Sequence, residues 1–289
     1  SRPRPRSRSD GAVAFGGVPV REALDGAVTA IAAAGADTPR LDAELLLGHA
    51  LGVDRAALLM APEREVTGPA VRAFQDLVRR RSVGREPVAY LVGRRGFRHL
   101  ELAVDARVLV PRPETELLVE VALGLPRGAR VVDVGTGSGA VALALKDERP
   151  DLDVVATDVS QDALAVARAN AARLGLDVGL LHGDLLDGAG DVDAIVANPP
   201  YVAEADRAAL PPEVARHEPP VALFAGADGL EVVRRLTAAA GASSARFTAL
   251  EVGAGQAREV ERLLQAAGFT STQRHQDVAG IERVVVGRR

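Results

Sequence analysis

The chain has 289 residues, 47% hydrophobic and 26% charged, a globular balance with room for about two domains and a core that needs no staples. It contains no cysteine, which excludes disulfides and thiolate metal sites and agrees with a reducing compartment. A net charge of −4 and a pI near 5.8 argue against a surface built to coat nucleic acid, and no apolar run approaches the roughly 18 residues of a membrane span.

Residues 1–17 open with Ser1-Arg2-Pro3-Arg4-Pro5-Arg6-Ser7-Arg8-Ser9. The stretch is basic but no apolar h-region follows it, so it reads as a disordered leader and not a secretory signal. Residues 18–83 read as a small helical bundle. An amphipathic pattern starts at Val20 and stops at Gly35. Thr38-Pro39 opens a second helix through Leu47, Asp54 caps a short third one, and a fourth runs from about Pro69 to Arg81 with Val71, Phe74, Leu77 and Val78 on one face. Its cationic end, Arg79-Arg80-Arg81, reads either as a nucleic-acid patch or as favourable charge at a helix C-terminus.

The period changes over residues 84–110. Pro87–Leu91 and Leu100–Val104 are expected as strands of a β-hairpin linker, with the turn at Gly93–Gly96. Val110-Pro111-Arg112-Pro113-Glu114-Thr115-Glu116 then opens a helix that runs to Gly124. Pro113 and the first-turn carboxylates are ordinary helix chemistry. Arg112, flanked by two prolines, looks like a residue held rigid to face something.

From Arg130, strands alternate with helices. Strands are expected at Arg130–Val134, Asp153–Thr157, Val178–His182, Val192–Ala197, Arg246–Val252, Phe269–His275 and Glu282–Gly287. Helices are expected at Ala140–Lys146, Asp162–Leu174, Gly229–Ala240 and Gln256–Ala267. This alternation predicts an α/β fold over residues 111–289, doubly wound around a mostly parallel seven-stranded sheet. Ligands of such sheets bind beyond the strands' carboxyl ends, at the switch point.

Residues with chemistry fall at those ends. Gly135-Thr136-Gly137-Ser138-Gly139 joins the first strand to its helix, and glycines there permit positive φ and close approach of a ligand. The spacing is neither the dinucleotide fingerprint, whose third glycine comes one residue later, nor a phosphate loop, which needs a lysine. A plain strand–helix connection is the bland alternative. Asp158, about 20 residues on, ends the second strand where an acid can bind ribose hydroxyls, or cap the next helix. Asp184 ends the third strand and could accept from an amino group, or simply make a turn. Asn198-Pro199-Pro200-Tyr201 ends the fourth. Its prolines have fixed φ and no N–H, Asn198 adds an amide, and Tyr201 adds a flat face with a polar tip. The corner suits gripping the NH₂ of a planar amide or amine. A strand-terminating turn is its alternative reading.

The layout resembles the class I S-adenosylmethionine-dependent methyltransferases. More narrowly it is similar to the release-factor glutamine methyltransferases of the HemK/PrmC type. The segments that carry this likeness span Arg80–Arg289 and include REPVAYLVG, VLVPRPETELLVE, VDVGTGSGAVALAL, ANPPYV, HEPPVALFAGADGL, LEVGAGQ and AGIERVVVGR. The resemblance implies methyl transfer from S-adenosylmethionine to the side-chain amide nitrogen of the glutamine in a Gly-Gly-Gln loop of a peptide chain release factor. It implies a helical bundle that contacts the release factor, and a cytoplasmic monomer with no metal and no direct nucleic-acid partner. Gly135, Thr136, Gly137, Ser138, Gly139, Asp158, Asp184, Leu185, Asn198 and Arg112 are then expected around the cofactor. The family often has an aromatic where this chain has Leu185. Asn198 and the carbonyl of Pro199 are expected to accept the two N–H groups of the glutamine amide, with Pro200 stiffening the corner, Tyr201 packed on the amide plane and Phe97 covering it.

Rival readings are an adenine-N6 nucleic-acid methyltransferase, whose target is also a conjugated NH₂, and a partner-binding protein on a methyltransferase fold without catalysis. A nicotinamide-dependent dehydrogenase is disfavoured by the glycine spacing.

Overall fold

A computed structural model of the chain describes residues 17–289. Apart from Gly17, the leader read over residues 1–17 lies outside the described residues. The chain divides into two compact units, one ending at Val92 and the other beginning at Gly93.

The first unit holds β1 (Val18–Pro19), α1 (Val20–Ala33), α2 (Pro39–Leu51), α3 (Arg55–Met60), β2 (Glu65–Val66), α4 (Pro69–Ser82) and α5 (Val88–Val92). Val20, Leu24, Ala27 and Ile31 recur at helical spacing and are the buried stripe of α1. Pro39 and Pro69 each sit in the first turn of their helix, and Asp54 accepts from Ala57 N at 2.6 Å to cap α3. The arginines at the end of α4 are ion-paired: Arg79 with Asp76, Arg80 with Glu86, and Arg81 with Asp42 at 2.7 Å in the interior. That pairing removes them as a free nucleic-acid patch.

The strand expected at Pro87–Leu91 is the helix α5, which turns on the Pro87 carbonyl with N–H groups of Tyr90 and Leu91. Five residues are too few for apolar spacing to separate the two periods. The hairpin lies wholly in the second unit, as β3 (Arg94–Phe97) paired with β4 (Leu100–Ala103). Gly96 is therefore a strand residue, and the turn falls at Arg98-His99. Arg98 there has φ +51° and grips Glu148 with two bonds of 2.8 Å. Non-glycine residues are uncommon in the left-handed region, and the Glu148 ion pair fastens Arg98 there.

A 3₁₀ turn at Pro113–Thr115 leads into α6 (Glu116–Ala122). Then come β5 (Arg130–Val134), α7 (Ala140–Glu148), β6 (Asp153–Asp158), α8 (Gln161–Leu174), β7 (Gly179–His182), β8 (Ala194–Ala197), α9 (Pro212–His217), α10 (Glu231–Ala242), β9 (Phe247–Glu251), α11 (Ala257–Ala266), β10 (Ser271–Gln276) and β11 (Glu282–Arg288). The strand order is β10-β11-β9-β8-β5-β6-β7. Pairings from β9 to β7 are parallel, and β11 is antiparallel to both its neighbours. Strand alternation sends successive residues to opposite faces. Val131, Ala194, Val196, Val284 and Val286 meet Leu118, Leu143 and Leu145 on one side. Val132, Ile195, Ala197 and Val285 meet Leu236 and Leu264 on the other. Burial on both faces is why these strands read as continuous apolar runs. Among the described residues no helix is long and apolar enough to cross a membrane.

The hairpin is tied to the first glycine loop by one side chain. Asn170 on α8 is fully buried. Its Oδ1 accepts from Ala103 N at 2.8 Å, and its Nδ2 donates to the Ala103 and Ser138 carbonyls at 3.0 and 2.9 Å. Asn170→Ala leaves three backbone groups, one of them buried, without their side-chain partner and is expected to cost about 2–4 kcal/mol in urea unfolding. A loss under about 1 kcal/mol would show the hairpin to be held by packing alone.

Candidate active site

The strand order reverses between β5 and β8, which opens a crevice beyond their carboxyl ends. Four strand ends feed it, each in the order the sequence predicts.

After β5, Gly135, Gly137 and Gly139 take φ of +73°, +56° and +85°. A Cβ at Gly135 or Gly137 would meet open space, so their freedom of φ is what the loop uses. Asp133 anchors this loop from below, accepting from Thr136 Oγ1 at 2.6 Å and Ala142 N at 3.2 Å. Its burial pushes the carboxyl up to about 6 against those two bonds. The Thr136 hydroxyl is thereby committed to the loop itself, and Ser138 is 3% exposed with its carbonyl bonded to Asn170.

Asp158 ends β6. One oxygen accepts from Gly137 N and the other from Ser160 N, both at 2.9 Å. A carboxylate has about four acceptor positions, so two remain for a ligand. The helix-capping alternative falls to Ser160, whose hydroxyl accepts from Ala163 N at 3.1 Å. Past β7, Asp184 lines the same cavity at its rim and pairs with Arg235. Leu185 has φ +53°, its carbonyl accepts from Thr157 Oγ1 at 2.6 Å, and its side chain packs on the adjacent core. The cavity therefore offers acceptors at Asp158 and Asp184 with aliphatic cover from Leu185 and Ala163, a lining that fits a nucleoside.

Beyond β8, Asn198 and Leu109 line this cavity and two that adjoin it. One of these runs beside the glycine loop, with Arg112, Thr115 and Ser138. The other is walled by Arg112, Tyr201, Leu210, Val214 and Leu223. Pro199 and Pro200 face the nucleoside cavity. Asn198 Nδ2 donates to Thr115 Oγ1 at 3.1 Å. Burial, with the charge of Glu251 second, raises the Tyr201 hydroxyl to about 12, so it stays protonated at neutral pH.

The corner is held from outside its own strand. Val202 N donates to the Leu223 carbonyl at 2.9 Å, and Ala225 N donates back to Val202 O at 3.0 Å. Gln256 Nε2 donates to Tyr201 O at 3.1 Å. Arg112 reaches Glu218 at 2.6 Å, which joins the Pro111–Thr115 segment to the Glu218-Pro219-Pro220 segment. Glu218 is 4% exposed, and burial raises its carboxyl despite Arg112. Arg112 thus lines the cavities beside Asn198 through this ion pair.

Two expected site residues line none of these cavities: Gly139, which packs against Leu143 and Ala167, and Phe97. Phe97 is 1% exposed and packs with Leu100, Leu102 and Leu118. Its strand alternation turns it into the core. Sequence reading also missed Thr115, Glu218, Gly229 and Glu251. All four lie within motifs already noted, but only folding shows which of those motifs' residues support the corner.

A seven-stranded sheet of this order, with a glycine loop, an acid after the second parallel strand and Asn-Pro-Pro-Tyr after the fourth, defines a class I methyltransferase. The hMettl16 catalytic domain bound to an RNA hairpin superposes with a TM-score of 0.54 at 18% identity, covering 78% of this chain and 84% of that one. A 16S rRNA methyltransferase from T. Thermophilus, in complex with AdoMet and guanosine, gives a TM-score of 0.50 at 20% identity over 68% of this chain and 49% of that one. Residues 22–93 match the PrmC N-terminal domain, and residues 113–214 match the methyltransferase small domain. The release factor glutamine methyltransferase of Rhodospirillum rubrum is 43% identical over 92% of this chain and 84% of its own length. That of Deinococcus radiodurans is 44% identical over 93% and 98%. The chain belongs to the release factor glutamine methyltransferase family.

Gly229, at φ +74°, lies against the Tyr201 carbonyl, and a Cβ there would run into it. Gly229→Ala is expected to cost about 2 kcal/mol or more through strain and displacement of the corner. A lowered unfolding midpoint together with reduced methyl transfer is the expected result. An unchanged value of both would show the corner to be independent of that contact.

Proposed function

We propose that this protein transfers a methyl group from S-adenosylmethionine to the side-chain amide nitrogen of the glutamine in the Gly-Gly-Gln loop of a peptide chain release factor. The observation that carries the reading is the position of Asn198, which lines both the cavity that holds Asp158 and Asp184 and the adjoining cavity walled by Tyr201. Leu109 and Ala222 also line both cavities, and Asn198 is the one of the three whose side chain can hydrogen-bond a group held between them. Family membership supplies the acceptor class.

Asp158 is assigned to the ribose hydroxyls, Asp184 and Leu185 to the adenine, and Gly135 to Ser138 to the close approach of the cofactor backbone. Bound there, S-adenosylmethionine supplies an electrophilic methyl on sulfur. An amide nitrogen is a poor nucleophile because its lone pair is delocalised into the carbonyl. Asn198 Oδ1 and the Pro199 carbonyl accept its two N–H bonds, which aligns the nitrogen and favours its less planar form. The nitrogen pair forms the N–C bond, the S–C pair returns to sulfur, and the amide proton leaves to solvent. Pro200 keeps the bend rigid, and Tyr201, protonated, lies against the amide plane. The helical unit is assigned to release-factor contact, in a monomer that works in the cytoplasm without metal or nucleic acid.

Asn198→Ala is expected to lower kcat at least about 100-fold on a release factor, with cofactor affinity held within about 3-fold. Mass spectrometry of the release factor and calorimetry of cofactor binding read the two quantities. Near-normal turnover would reject the assignment. Asp158→Ala removes two acceptors and should weaken cofactor binding about 10- to 100-fold. Methylation of DNA in place of the release factor would favour the adenine reading.

A further inference from the structure

Asn198 does not hold its own amide in place. It follows β8, while Thr115 closes the 3₁₀ turn of the Pro-Arg-Pro-Glu-Thr segment and Glu251 ends the neighbouring strand β9. Thr115 is 4% exposed and Glu251 1%. Asn198 Nδ2 donates to Thr115 Oγ1 at 3.1 Å, the Thr115 hydroxyl lies beside the Glu251 carboxyl and favours its ionised form, and Glu251 Oε2 is buried with no hydrogen-bond partner.

We propose that Thr115 and Glu251 are positioning residues that fix which end of the Asn198 amide faces the reacting nitrogen. The argument is a count of protons. A hydroxyl has one proton to donate, and an ionised carboxylate can only accept. Thr115 therefore donates to Glu251 and has only lone pairs left for Asn198. Asn198 must offer it Nδ2, which leaves Oδ1 as the acceptor for the glutamine N–H. Protonation of Glu251 on the oxygen that faces Thr115 reverses every member of the chain. The acid then donates to Thr115, Thr115 donates to Oδ1, and Nδ2 swings to face the substrate NH₂, donor against donor.

Glu251 is placed to make this change near neutral pH. The charged and titratable groups facing it are Glu114, Arg112, Arg283 and Tyr201. Burial is the largest influence, and with help from Glu114 it raises the carboxyl to about 7. The Thr115 bond, Arg283 and Arg112 oppose the rise. The ionised form that orders the amide is therefore complete above that pH and is lost as pH falls through it.

The proposal rests on the glutamine-methylation reading, and its test separates the two. Wild type, Thr115→Val, Thr115→Ser and Glu251→Gln are compared in methyl transfer to a release factor at saturating substrates. The range runs from about pH 6 to about pH 9, and cofactor affinity is measured by calorimetry at each pH. Thr115→Val should lower kcat about 10- to 100-fold, and Thr115→Ser should stay within about 3-fold of wild type, with cofactor affinity unchanged in both. Wild-type kcat should fall as pH drops through about 7. Glu251→Gln, whose amide oxygen accepts from Thr115 at every pH, should lack that limb. Thr115→Val at wild-type kcat, equal losses in Thr115→Val and Thr115→Ser, or an acid limb unchanged in Glu251→Gln would each overturn the proposal. If Thr115→Val does not fold, the serine variant and the pH comparison decide. A wild-type enzyme that leaves release factor unmodified sinks the underlying reading instead.

Discussion

Two consecutive prolines make the Asn198–Tyr201 corner stiff, but they also strip it of N–H groups with which to secure itself. Everything around the site follows from that deficit. The corner's position is set by bonds made just after it and from other segments: Val202 pairs with residues 223–225, Gln256 reaches the Tyr201 carbonyl, and Thr115 accepts from Asn198. Stiffness comes from the local sequence, and placement comes from three distant ones.

The same segments carry unusual electrostatics. Asp133, Glu218 and Glu251 are buried carboxyls around one crevice, and burial raises each of them. They are kept by different partners: a hydroxyl and a backbone N–H for Asp133, Arg112 for Glu218, and Thr115 for Glu251. Groups of this kind cost stability unless each is hydrogen-bonded, and enclosed clefts that shift acid strength are where chemistry concentrates. Their directional bonds hold loops that apolar packing alone would leave free to slide.

The parallel strands and the acids at their ends were legible because both faces of the sheet are buried. Val131–Val134 and Ala194–Ala197 read as unbroken apolar runs, and whatever follows such a run must emerge at the crevice. Short elements were less legible. α5 looked like a strand because five residues with two valines do not show a helical period, and the hairpin turn was sought at glycines when an arginine held by Glu148 and Glu120 makes it. Phe97 failed as a site residue for a related reason. Its place beside a motif was visible, but the face of β3 it occupies depends on a register set by pairing with β4.

By itself, the sequence determined the architecture of the second unit, the order in which the strand-end loops reach the crevice, and the hydrogen-bonding capacity that Asp158 and Asn198 bring to it. These rest on local periodicity and on residue types whose bonding capacity is intrinsic. Only the tertiary structure decided that Thr115 meets Asn198 and lies beside Glu251, that Arg112 serves Glu218, and that Phe97 turns inward. Such contacts join residues tens to more than a hundred positions apart. Their partners are chosen by strand order and by the need to satisfy buried polar atoms, neither of which any single stretch of chain can express.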